Sequence, residues 1–120
     1  DLGKYGKMLL NQGLVNNREL LDRELINLFT ARQSTVDEAN RGYGWDRPDR
    51  DGTSSAGDYF SDKAFGHLGY TGTSFWIDPE QQLIVILLTN RVHPTREKQG
   101  IKQVRRKFHN TVVKSILNFN

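Results

Sequence analysis

The sequence predicts an α+β domain: an antiparallel sheet in the form of a meander, covered by a long C-terminal helix and accompanied by two N-terminal helices. Three observations carry this. Phe75 to Ile77 and Leu83 to Leu88 are apolar runs joined by DPEQQ, a polar, proline-containing segment suited to reversing the chain. Ile101, Val104, Phe108, Val112 and Ile116 recur at three- and four-residue steps for more than four turns, with basic residues between them, as in an amphipathic helix. Shorter stretches of the same periodicity lie near the N-terminus.

Taken in order, residues 2–12 place Leu2, Tyr5, Met8 and Leu9 on one helical face, and Gly13 follows where a glycine commonly closes a helix. After Asn16 and Asn17, Asp22 is placed to accept from the free backbone donors of a second helix running to about Arg32. Its apolar stripe is Leu25, Ile26 and Phe29, and Glu24 suits its positive end. From Gln33 to Asp62 the composition turns to Gly, Asp, Ser and Arg, with only Tyr43, Trp45, Tyr59 and Phe60 as anchors; a short strand is expected around residues 41–45 and then a long surface excursion through DRPDRDG. LIVILL is unbroken rather than alternating, which predicts a strand covered on both faces. The organisation expected is a helical segment at 1–40, a short strand and loop at 41–62, and strands with the terminal helix at 63–120, all in one partial domain.

At 120 residues the chain is one domain's worth of polypeptide. Its apolar fraction of 36% predicts a thin core, while two Trp, four Tyr and six Phe argue against disorder. No apolar window is long enough for a membrane span, and DLGKYGKMLL carries no long apolar segment ahead of a small-residue cleavage site. Without cysteine there are no disulfides or thiolate metal sites, and His67, His93 and His109 lack ligand spacing, so neither metal nor cofactor is expected. The compartment stays open, a cell-envelope parent being compatible with it. The net charge of +3 is mild, but Lys98, Lys102, Arg105, Arg106, Lys107 and Lys114 crowd near the C-terminus.

The stretch FGHLGYTGTSFWIDP, residues 65–79, places Gly66, Gly69 and Gly72 at three-residue intervals just before a strand. Glycine weakens a strand, so bare backbone here calls for close approach of another group, or for a bend or bulge. A strand edge whose N–H groups face outward can hold negative charge developing on a substrate carbonyl.

HLGYTGTSFWIDPEQQLIVILLTNR resembles the C-terminal sheet of the serine β-lactamase and penicillin-binding-protein superfamily, in its class C β-lactamase-like, esterase-type branch. There a K-T-G box, or H-x-G in esterase-like members, opens the strand lining the active site; His67, Leu68 and Gly69 match it. DLGKYGKMLLNQG is similar to the family's helical segment, RGYGWD to its short strand before the site, and IKQVRRKFHNTVVKSIL to its terminal helix, so nearly the whole chain is covered. The resemblance implies a partial β-lactamase/transpeptidase-like fold and acyl-enzyme chemistry on an ester, amide or β-lactam. It gives His67 a role beside the catalytic tyrosine and Tyr70 a backbone N–H in the oxyanion hole. Leu68, Gly69, Thr71 and Gly72 would line the substrate, a small acyl compound.

Two departures matter. The family needs a serine with a lysine three residues on, and a tyrosine in Y-x-N. No serine among 34, 54, 55, 61, 74 and 115 has that lysine and no tyrosine has that asparagine, Tyr59-Phe60-Ser61 being a chance Y-x-S. The chain therefore reads as the C-terminal part of a longer serine hydrolase, inactive alone, with a sheet edge open to self-association. Histidine in place of the box lysine removes a fixed cation and favours ester hydrolysis or acyl transfer.

Each residue also has a plainer reading. His67 can be a strand-edge histidine bonded to a neighbour, Leu68 a core side chain, and Thr71, Thr73 and Ser74 solvated or buried hydroxyls. Trp45, Phe75 and Trp76 read as packing residues. An alternative function is a stand-alone basic module binding nucleic acid or an anionic surface through helix 101–117. A solvated helix face is commoner, no aromatic residue interleaves with the cations on the polar side, and no nucleic-acid partner is expected. A hydrolase remnant without catalysis is a third reading.

Overall fold

A computed structural model of the chain describes residues 1–33 and 40–117. The expected helical segment at 1–40 includes residues 34–39, and the expected last unit at 63–120 includes residues 118–120, which lie outside the described residues. Helix α1 (Leu2–Leu10) leads into a small hairpin, β1 (Leu14–Val15) and β2 (Arg18–Glu19), followed by α2 (Arg23–Thr30). After a long connection come β3 (Phe65–Leu68), β4 (Ser74–Asp78) and β5 (Leu83–Leu87), an antiparallel meander in that order, and then α3 (Ile101–Leu117).

The α+β architecture is the one expected, and several local details differ from expectation. The two-residue strands β1 and β2 turn on Asn16 and Asn17, both at positive φ. Asparagine tolerates that region, and the pair forms a tight hairpin turn between the two expected helices. Asp22 caps α2 as expected, its Oδ1 accepting from the Leu25 N–H at 3.0 Å. The helix ends at Thr30 rather than Arg32, and of its expected stripe only Ile26 is buried; Leu25 and Phe29 remain substantially exposed. On α1 the buried positions are Gly6, Met8 and Leu9, with Leu2 and Tyr5 half exposed. Gly6 lets the helix settle onto the sheet: a Cβ there would lie 3.0 Å from the Phe75 ring and 3.1 Å from Ile84 Cγ2.

The strand expected at 41–45 does not form. Arg41 and Asp46 instead make an isolated bridge, and Asp46 makes a second one with Gly66, so the chain touches the sheet at a single residue. The Asp46 and Gly66 backbones exchange N–H···O bonds of 2.8 and 2.9 Å. This contact identifies which groups of β3 point outward, since backbone groups in a strand alternate sides. Gly66 faces away from β4, and Leu68 does so too.

The meander separates two apolar clusters. On the α3 side lie Phe60, Trp76, Leu83, Val85 and Val113; on the α1 and α2 side lie Met8, Leu9, Ile26, Phe75 and Ile77. The register Trp76↔Val85 and Ile77↔Ile84 divides LIVILL between them, so the unbroken run is the sequence trace of a strand covered on both faces. Cover ends beyond β5, where Leu88 is 70% exposed.

Helix α3 matches its expected span, but the face turned to the sheet is rotated from the one its hydrophobic periodicity marked. The buried residues are Arg105, His109 and Val113, whereas Val104 and Ile116 are more than half exposed. The loop at 54–60 crosses this helix: Asp58 takes two bonds from Arg106 Nη2 and one from Asn110 Nδ2, and its own N–H donates to Asn110 Oδ1 at 2.8 Å.

Trp76, 2% exposed, stacks on Phe60 with ring centroids 5.8 Å apart and carries the α3-side cluster. Trp76→Ala should therefore cost about 3–5 kcal/mol, and Leu88→Ala less than about 0.5 kcal/mol, both read from denaturant unfolding. Equal losses at the two positions would contradict this division of the core.

Candidate functional site

β3 carries His67 and Leu68 of the H-x-G residues, and Gly69 opens the turn of residues 69–73 that leads into β4. Each candidate can be placed from the alternation of the strand. His67 pairs with Phe75 across the ladder, lies on the α1 side of the sheet and is exposed. Leu68 points to the other side and packs, half-buried, against the cluster around Trp76.

The glycines are explained by internal contacts. A Cβ at Gly69 would collide with Thr73 Oγ1, and one at Gly66 with the Trp76 indole. Gly72 has φ +99° and abuts Thr89 Oγ1 and Ile101 of α3. The backbone groups of Gly69 and Gly72 are also occupied: Gly69 N–H donates to the Thr73 carbonyl at 2.8 Å, and Gly72 N–H to the Gly69 carbonyl at 3.0 Å. Close approach is therefore the reason for the bare backbone, but the approaching groups belong to the chain itself.

The turn is held by two arginines. Arg105, 6% exposed, donates from Nη2 to the Gly69 carbonyl at 2.7 Å and the Thr73 carbonyl at 2.9 Å, and from Nε to the Gly72 carbonyl at 3.0 Å. A guanidinium suits this work because its planar donor fork serves several acceptors from one side. Burial lowers the Arg105 pKa from the ordinary arginine value, and nearby Arg91 lowers it further. Arg91 donates from Nε to the Tyr70 carbonyl at 2.8 Å, and its guanidinium lies over the Tyr70 ring, 4.8 Å from the centroid. The Thr71 carbonyl accepts from Arg91 N–H at 2.9 Å and Thr89 Oγ1 at 3.1 Å. The carbonyls of residues 69 to 73 are thus all engaged.

In a trans peptide the C=O and the following N–H point in opposite directions. With the Gly69 carbonyl drawn toward α3, the Tyr70 N–H points the other way, and it meets no acceptor among the described residues. Of the six sequence candidates, then, His67 offers an exposed ring, Tyr70 an unengaged N–H and Thr71 an exposed side chain. Leu68, Gly69 and Gly72 shape the turn.

Two buried polar residues of α3 were missed by the periodicity, which followed apolar residues alone. The signal was a stripe at four-residue intervals, Ile101, Arg105, His109, Val113 and Leu117, with polar residues at its second and third positions. His109 is fully buried; Nδ1 donates to the Ser55 carbonyl at 2.8 Å, so Nε2 is left to accept from Ser74 Oγ at 3.0 Å. This serine and histidine are in contact, yet both are sealed from substrate. Ser61 is likewise fixed, donating through Oγ and N–H to the buried Asp78 carboxylate at 2.7 Å each, which ties the YFS segment to the β4–β5 hairpin.

The basic face of α3 is reduced by these contacts. Arg105 serves the turn, Arg106 pairs with Asp58 at 2.6 Å, and Lys114 lies over the Tyr59 ring at 4.7 Å. No helix of the described residues is long and apolar enough to cross a membrane.

The sheet is flanked by helices on both faces, and the H-x-G ribbon ends beside an amide with no acceptor among the described residues. The β-lactamase family model matches residues 1–109, and the chain belongs to this family. It is similar to the N-acetylmuramyl-L-alanine amidase of Bacillus subtilis, 37% identical over 97 residues, which cover 78% of this chain and 21% of that protein. A second relative, an uncharacterized protein of Alkalihalophilus pseudofirmus, is 30% identical over 98% of this chain and 36% of its own length. A provisionally named D-alanyl-D-alanine carboxypeptidase of Escherichia coli is 30% identical over 78% of this chain and 21% of its length. The chain thus spans between about a fifth and a third of these relatives.

Burial pushes the His109 pKa down, the neighbouring Arg105 charge adds to this, and the Ser55 bond opposes it. The unfolded chain therefore binds more protons than the folded one below about pH 6.5, so stability is fully present above that value and declines as pH falls through it. The thermal midpoint should drop between pH 7 and pH 5, and His109→Gln should shrink the drop. An unchanged pH slope in that variant would contradict a neutral, buried imidazole.

Proposed function

We propose that the chain is the C-terminal part of a serine hydrolase that works through an acyl-enzyme, and that it supplies the oxyanion-side wall of the active site. One observation carries this reading: in a chain of the β-lactamase family, the amide one residue beyond H-x-G points away from the protein's own acceptors. Such a donor is preorganised for the oxygen of a tetrahedral intermediate, with no cost of turning at the moment of reaction. The nucleophile's own N–H would be the second donor. The serine, its lysine and the proton-shuttling tyrosine lie in the remainder of the protein, since the S-x-x-K and Y-x-N patterns are absent from these residues.

His67, exposed on the opposite side of β3 from Leu68, would contact the tyrosine or the substrate, while Thr71 borders the leaving or entering acyl compound. The missing box lysine favours neutral acyl substrates such as esters, and the relatives named as amidase and carboxypeptidase add amide bonds to the candidates. The buried commitment of Arg105 to three carbonyls and the pairing of Arg106 with Asp58 weigh against the basic-module alternative, because both charges are already engaged within the chain.

β5 is paired only with β4, so its other edge has no strand partner among the described residues. An open edge is a template for pairing. The isolated 120-residue chain should be catalytically silent and self-associate with rising concentration in light scattering.

The test is made on the longer protein. It should hydrolyse a p-nitrophenyl ester or a chromogenic cephalosporin, and a fluorophosphonate should label a serine outside residues 1–120. Tyr70→Pro, which deletes the donor N–H together with the ring and fixes φ, should lower kcat by roughly 10²–10³-fold, and Tyr70→Ala, which removes the ring but keeps the N–H, should leave it within about threefold. Labelling of a serine inside these residues, or full activity in Tyr70→Pro, would overturn the reading.

A further inference from the structure

We propose that Arg105 is a positioning residue for the reaction: by drawing the Gly69, Gly72 and Thr73 carbonyls toward α3, it aims the Tyr70 N–H at the oxyanion. This rests on the function proposed above and assigns a part to a residue on the far side of the turn, which itself never meets substrate. The Gly69 carbonyl and the Tyr70 N–H belong to one planar peptide unit, so whatever fixes the first fixes the second. Arg105 Nη2 holds that carbonyl at 2.7 Å, and the adjoining peptide unit is held by Arg91 Nε on the Tyr70 carbonyl at 2.8 Å. The two arginines approach from the α3 side and from the segment after β5, which leaves the Tyr70 amide pinned at both ends.

Three features make Arg105 the stronger constraint. It is 6% exposed, so its position is set by packing and not by solvent. Its partners are three carbonyl oxygens of one turn; releasing the guanidinium would leave the Gly72 carbonyl without a donor and the Gly69 and Thr73 carbonyls with only the turn's own backbone N–H bonds. A glycine occupies two of those three acceptor positions, where an unclamped backbone would have the widest range of orientations. Displacing a reacting group by about 1 Å can cost on the order of 10²-fold in rate, so a loosened turn should show in catalysis before it shows in binding.

The experiment uses the longer protein with Arg105→Lys and Arg105→Met, and with Arg106→Gln as a control on the next residue, whose partner is Asp58. Lysine keeps the charge and the stem but offers a point donor in place of the fork. Expected results for Arg105→Lys are a fall in kcat of roughly ten- to a hundredfold with KM changed less than about threefold, and an equal fall in the rate of phosphonate inactivation. Arg105→Met should fall further, and Arg106→Gln should retain wild-type kcat. A folded Arg105→Lys with unchanged kcat while Tyr70→Pro is impaired would overturn the positioning role and leave the oxyanion reading standing. If Tyr70→Pro is also unimpaired, the oxyanion reading itself fails. Should neither Arg105 variant fold, amide exchange in the wild-type protein decides: Tyr70 N–H should exchange within about tenfold of an unstructured peptide while Gly69 and Gly72 N–H are protected. Strong protection of Tyr70 N–H would mean that it is turned inward, and the proposal would be wrong.

Discussion

The buried guanidinium of Arg105, set against three carbonyls of one turn, is the contact on which the candidate site depends. A cation this enclosed needs its donors satisfied, and here backbone carbonyl dipoles meet the need in place of a carboxylate. The arrangement binds α3 to the end of β3, so the longest helix and the H-x-G strand act as one body. It also sorts the polar groups of the turn: acceptors face the two arginines, and the Tyr70 donor is left facing out.

The same helix serves the rest of the α3-side core through the residues that follow. His109 bridges Ser74 of β4 and the Ser55 carbonyl of the crossing loop, and Val113 fills the space beneath Trp76 and Phe60. One helix face thus changes along its length from a polar clamp to an apolar lid. Opposite it, α1 closes on Phe75 and Ile84 through Gly6, and His67 emerges on that side of the sheet. The meander is covered on both faces, and the ribbon from His67 to Tyr70 remains at its open edge.

The meander, the terminal helix and the Asp22 cap were legible in the sequence because each is written in local terms: an apolar run, a helical period, an acid before a helix. The rotation of α3 was not, because Arg105 and His109 count as surface residues until the carbonyls they serve are in place, and those lie more than thirty positions earlier. Residues 41–45 looked like a strand for their aromatics, yet only Asp46 reaches the sheet, and Trp45 is instead spent in an edge-on contact with Phe65, with ring centroids 5.1 Å apart. The exposed Leu25 and Phe29 show the limit in the other direction, since a stripe read from period alone does not say what will cover it. For the site, the H-x-G resemblance located the ribbon, but which of its groups stay accessible is fixed by long-range packing. Gly69 and Gly72 turned out to be occupied by Thr73, Thr89 and Ile101.

The most direct test of the proposed function is a crystal structure of the longer protein after reaction with a fluorophosphonate. The account predicts a phosphonyl oxygen about 2.7–3.1 Å from the Tyr70 nitrogen, with Arg105 still holding the carbonyls of Gly69, Gly72 and Thr73. A phosphonyl oxygen bound elsewhere, with the Tyr70 peptide turned toward α3, would contradict it.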